Sequence, residues 1–131
     1  MSAVPVIAID GPSASGKGTV AQRVAKTLGF HHLDSGALYR LVALGAAREG
    51  IDAGDEAKLV AIAVRLPARF EGEEIFLEAE RVTDAIRTEE NSFAASRVAA
   101  LPGVRRALLD RQRFFRRPPG LVAEEIGRAH V

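Results

Sequence analysis

Gly11 and Gly16, separated by four residues and followed at once by Lys17, are the residues of this 131-residue chain best suited to hold an anion. Pro12, Ser13, Ala14 and Ser15 lie between the two glycines, and Gly18 and Thr19 follow the lysine. Glycine permits backbone conformations that side chains disfavour, so consecutive N–H groups can turn inward onto phosphate oxygens. A helix starting directly after the loop adds the positive end of its dipole to the same anion. Lys17 would then reach the β- and γ-phosphates of a nucleoside triphosphate and offset charge that shifts during transfer. Gly18 stands where such loops usually carry the Ser or Thr that binds Mg²⁺, and the hydroxyl comes one residue later, at Thr19. The metal ligands are therefore unknown at this stage. The plain alternative is a glycine-rich turn that holds no phosphate.

The elements around the loop favour the phosphate reading. Residues 4–9 are a short apolar, β-branched run with the pattern of a buried central strand. Residues 17–28 place Val20, Ala21, Val24, Ala25 and Leu28 on one helical stripe, which Gly29 closes. A second short strand is expected over 31–33, and helices over 37–47 and 55–66, the latter opened by acidic residues that suit a helix start. From Ala68 to Thr83 apolar residues alternate with glutamates around Gly72, which predicts short antiparallel strands exposed on one face. Helices return over 88–100 and 102–116, the second with Pro102 near its start, until Pro118, Pro119 and Gly120 stop it and 121–123 open another strand.

The length fits one domain or part of one. A formal net charge of +1 gives no global field that points to nucleic acid or a membrane surface. The charge is uneven: seven arginines against Asp110 alone between Arg97 and Arg117 suit an anionic ligand. The absence of cysteine excludes disulfides, thiolate metal sites and a cysteine nucleophile. No stretch approaches the roughly 20 apolar residues that span a bilayer, so a cytoplasmic protein without a membrane partner is expected.

Gly16-Lys17-Gly18-Thr19 resembles the loop of nucleoside monophosphate kinases rather than that of GTPases or transport ATPases. The resemblance sharpens to the bacterial cytidylate kinases at His32-Leu33-Asp34-Ser35-Gly36-Ala37-Leu38-Tyr39-Arg40, Ile86-Arg87-Thr88 and Ala94-Ala95-Ser96-Arg97-Val98-Ala99. It continues from Val104 through Arg113 and reaches about Val122. It implies a three-layer α/β P-loop kinase fold with a parallel core sheet, transferring phosphate from ATP, with Mg²⁺, to CMP or dCMP. Residues 1–65 would form the core with the acceptor helix, 66–96 a small β-containing insert over the monophosphate, and 97–124 a return to the core. Gly11 to Thr19 would bind ATP, and Lys17 and Arg40 would handle phosphates where the two substrates meet. Ser35 would line the acceptor site, while Ser96 and Arg105 would read the base. A guanidinium fork suits that last task, because cytosine offers adjacent acceptors at O2 and N3 where uracil has a donor at N3. A monomer is implied.

Each assignment has an ordinary competitor. Arg40 alone would be a solvated arginine, Ser96 a small packing residue of an alanine-rich helix, and Arg105 one of many neighbouring arginines. Arg87 either orients the acceptor or braces the insert. Glu71, Glu73, Glu74, Glu78 and Glu80 read as a solvated strand face, His31 and His32 as structural, and Asp34 as a helix cap. Beyond Glu124 the family pattern would continue with Gly-Arg-Asp, a further core strand, an arginine-rich lid and a final strand and helix. Residues 126–131 instead can be encoded by codons that read as a sequencing adapter, with Glu125 as the bridge into it. Residues 125–131 are thus expected to be a non-native tail, and the chain alone a fragment with little kinase activity. The rival functions are another small P-loop kinase and a nucleotide-binding module without transfer activity.

Overall fold

The computed structural model describes residues 4–11 and 16–125. The chain runs β1 (Val6–Asp10), α1 (Lys17–Leu28), β2 (His31–Asp34), α2 (Ser35–Arg48) and α3 (Glu56–Val64). Three short strands follow, β3 (Ala68–Glu71), β4 (Glu74–Leu77) and β5 (Glu80–Arg81), then a 3-10 turn over Ala85–Arg87. Helices α4 (Glu89–Ala99) and α5 (Pro102–Arg113) lead to β6 (Leu121–Glu125). The result is an α/β fold in which β1, β6 and β2 form a parallel sheet and β3, β4 and β5 a separate antiparallel one.

The strand order joins segments distant in sequence. Among the described residues β1 is an edge strand, and β6, the last to be made, occupies the centre. Leu121, Val122 and Ala123 are each fully buried, whereas Ala8 and Asp10 of β1 are exposed. An apolar run reveals burial but not neighbours, and a parallel crossover lets a distant segment enter between two earlier strands.

Local signals fix the helix ends. Gly29, at φ 69°, ends α1 in the left-handed conformation that glycine adopts without penalty. Asp34, Asp55 and Thr88 cap α2, α3 and α4 by accepting the N–H of Ala37, Lys58 and Asn91. The Asp34 cap explains why α2 starts at Ser35, two residues earlier than its apolar stripe suggests. The main core joins Leu33, Leu38, Leu41, Leu59, Val98 and Leu108 beneath one face of the parallel sheet. Val122 packs on α1 at the other face through Ala21 and Ala25.

The small sheet is anchored by its apolar side. Ile75 and Val82 are buried in the main core, and Phe70 meets Phe115 edge-on at 5.8 Å. Its glutamates face water in ion pairs: Glu71 with Arg69, Glu74 with Arg81, and Glu80 with Arg48 of α2 at 2.6 Å. Among the described residues no helix is long and apolar enough to cross a membrane.

Candidate functional site

Parallel pairing carries the carboxyl ends of β1, β6 and β2 to one edge, with Glu124 opposite both Ile9 and Asp34. Ligands of open parallel sheets bind at that edge. There Gly16, at φ 85°, releases the chain into α1, and Lys17, Gly18 and Thr19 face a cleft of about 750 Å³. Asp34 and Arg40 line the same cleft from β2 and α2, and Arg87 and Ser92 from across it.

Glu124 organises the floor. Its side chain is 5% exposed; Oε1 lies 3.4 Å from Lys17 Nζ, and Oε2 accepts from His32 Nε2 at 2.5 Å. Burial pushes this carboxyl up, but the hydrogen bond and charge of His32 and the charge of Lys17 outweigh it and hold the group below its ordinary value. Asp34 responds the other way. Burial and then the neighbouring Glu124 charge raise it, only partly offset by the Ala37 N–H, Lys17 and His32. A Cβ at position 18 would stand 3.2 Å from Glu124 Oε1, so glycine replaces the usual hydroxyl residue where the carboxylate already fills the space.

The residues singled out from sequence fall into two groups. Lys17, Thr19 and Arg40 share the cleft, and Ser35 adjoins it, donating its hydroxyl to the Glu124 carbonyl at 2.8 Å. Arg40 is held by Ser92 Oγ at 2.6 Å and the Ile86 carbonyl at 3.4 Å, while Asn91 Nδ2 donates to the carbonyls of Arg40 and Ile86. Gly11 is half-buried before the loop, and Pro12 to Ser15 lie outside the described residues, as do residues 126–131 of the expected tail. Ser96 and Arg105 are exposed on α4 and α5, and neither lines the cleft; the Ser96 hydroxyl donates to the Ser92 carbonyl at 3.2 Å. The dense arginine stretch does not line it either. Arg111 and Arg116 donate to the backbone carbonyls of Leu66 and Val4, and Arg113 pairs with Asp110. Arg111 and Arg116 thereby tie α5 and the segment after it to distant backbone.

Glu124, Asn91 and Ser92 were not singled out from sequence. The signal for Glu124 was an acidic residue ending a fully apolar short strand, but its partners lie 92 and 107 positions away. The carboxylates of Asp34 and Glu124 and the hydroxyl of Thr19 all line this cleft, although among the described residues no three His, Asp or Glu side chains are grouped to hold a metal ion.

A parallel sheet, a glycine loop feeding a helix, and a lysine and carboxylate at the carboxyl edge define a P-loop fold of the nucleoside monophosphate kinase type. The family model described as Cytidylate kinase matches residues 7–129, and the chain belongs to that family. It is 60% identical over 122 residues to the cytidylate kinase of Bordetella pertussis, covering 93% of this chain and 55% of the relative. Against that of Polynucleobacter asymbioticus it is 57% identical over 131 residues, covering 100% and 60%. Against that of Pseudomonas aeruginosa UCBPP-PA14 it is 55% identical over 128 residues, covering 93% and 56%. The chain thus spans little more than half the length of the curated relatives it matches.

Proposed function

We propose that the protein transfers the γ-phosphoryl group of ATP to CMP or dCMP, giving ADP and CDP or dCDP, as a monomer in the cytoplasm. The observation that carries this reading is one cleft edged by both Lys17, at the start of α1, and Arg40, on α2, the helix that follows β2. An oxygen of the acceptor phosphate attacks the γ-phosphorus in line while the bond to the β–γ bridging oxygen breaks, so that oxygen leaves with ADP. Lys17 and Arg40 offset negative charge on the phosphates from two sides, and positioning supplies much of the rate. Magnesium supplied with ATP would neutralise phosphate charge, and Glu124, Asp34 and Thr19 are the oxygen-bearing residues of the cleft that would hold it.

Ser35, Ser96 and Arg105 form the proposed acceptor set. Ser96 on α4 and Arg105 on α5 stand away from the cleft, so reading the base requires both helices to draw toward the phosphates when CMP binds. Such closure would exclude water and limit wasteful hydrolysis of ATP.

Coupled ADP release measured on the product of the complete gene, with CMP, dCMP, UMP and AMP as acceptors, tests the reading. CMP and dCMP should sustain turnover and UMP should be a poor acceptor. Turnover of AMP without response to CMP would replace cytidylate as the substrate, and ATP binding with no acceptor-dependent ADP release would make the protein a binding module.

A further inference from the structure

We infer that His32 is a positioning residue for the Glu124 carboxylate, holding Oε2 so that Oε1 is the oxygen presented to Lys17 and the glycine loop. Three separate geometries support it. The His32 Nε2 to Oε2 distance is 2.5 Å, Lys17 Nζ approaches Oε1 at 3.4 Å, and the Cβ direction of Gly18 points at Oε1 from 3.2 Å. The two carboxylate oxygens are therefore divided between the sheet and the loop.

The strands explain why His32 is placed for this. It is opposite Val122, whose partners are on α1, and two residues before Asp34, so both β2 side chains share a face with Glu124. Asp34, directly opposite Glu124, is a like charge, and His32 is the donor that draws the carboxylate along the sheet away from it. The ring is 10% exposed and meets Phe70 of β3 edge-on, with centroids 6.2 Å apart. Phe70 thereby braces the imidazole from the small sheet. Nδ1 is buried without a partner among the described residues, so a proton on Nε2 gives the ring its one available hydrogen bond.

The consequence for the cleft rests on the function proposed above. A carboxylate released from His32 can rotate and give both oxygens to Lys17. The lysine would then be tied more tightly to Glu124 and less available to phosphate. Outer partners that orient metal-ligating side chains typically change metal affinity or activity by about 10- to 100-fold when removed, and we take the lower end as the scale for an orienting partner here.

Two measurements on the full chain test the inference. Long-range ¹H–¹⁵N spectra of the imidazoles should show His32 protonated at Nε2, with its resonances shifting in Glu124→Gln. A proton on Nδ1, or an averaged ring insensitive to Glu124→Gln, would overturn it. Calorimetric titration with magnesium-ADP should give about tenfold weaker binding for His32→Leu, while His32→Gln, which keeps a donor, stays within about threefold of the parent. Parental affinity in His32→Leu, or equal loss in both variants, would also overturn it, with melting curves confirming that each variant is folded. If the product of the complete gene binds no nucleotide, the proposed function fails, and the imidazole spectra still decide the role of His32.

Discussion

Both sheets pair carboxylates with basic side chains, yet in opposite surroundings. At the carboxyl edge of β1, β6 and β2, Glu124 is 5% exposed and divided between Lys17 and His32. On the small sheet, Glu80 is 57% exposed against an Arg48 that is 42% exposed. Buried charge is costly unless each oxygen finds a partner, so the parallel sheet concentrates its charges where a ligand can use them. Exposed pairs are screened by water and fix little. The small sheet is instead tied down by its apolar side, through Phe70, Ile75 and Val82. The two sheets are thus stabilised by different physics.

Truncating the core should have the largest effect on stability. Leu38 is fully buried in the main core, and Leu38→Ala should lower stability by about 3 kcal/mol, read as a drop in the urea midpoint. Gly120 comes next, because a Cβ there would lie 2.5 Å from the Phe30 ring just before β6. Gly120→Ala should cost about 1–3 kcal/mol by overcrowding, measured the same way. Thr88→Ala removes the α4 cap and should cost about 1 kcal/mol in a thermal melt. Glu80→Gln should leave the melting temperature unchanged within error, and a large drop would end the contrast between the two sheets.

Acid sharpens the same contrast at Asp34, which responds with the opposite sign to Glu74 and Glu80, whereas Glu124, held low by His32 and Lys17, responds as they do. Hydrogen bonds from Arg81 and Arg48 hold Glu74 and Glu80 below their ordinary value of 4.5. Their contribution is complete above that value and is lost as pH falls through the lower folded values. Burial and the Glu124 charge raise Asp34 above its ordinary 3.8. Its penalty is absent below 3.8, grows as pH rises through the gap, and is complete above the raised folded value. Asp34→Asn keeps a capping side chain, so it should stabilise the protein at neutral pH and lose that advantage in acid. Unfolding of both proteins at a series of pH values checks the crossing.

Local chemistry was legible in the sequence and long-range pairing was not. The bounds of α1 follow from the Lys17–Leu28 stripe and Gly29, since both signals are made within one helix. The glycine loop was readable as a phosphate-binding pattern because its spacing, strand and helix are contiguous in sequence. Strand order lay hidden, as β6 reaches β1 across more than 100 residues of chain, and with it lay hidden Glu124, one of 17 acidic residues. Ser92 and Asn91 were concealed in the same way, since they meet Arg40 only when α4 packs on α2. Arg111 shows the same limit from the side of a single charge. Its charge was visible, but not the Leu66 carbonyl that occupies it.

The central claim is that Lys17 acts on phosphate in transfer, and Lys17→Ala in the product of the complete gene tests it most directly. Loss of one charge-assisted contact made chiefly in the transition state should lower CMP-dependent ADP release by at least about tenfold, while CMP affinity stays within about threefold. An unchanged turnover rate would remove Lys17 from the mechanism and contradict the account.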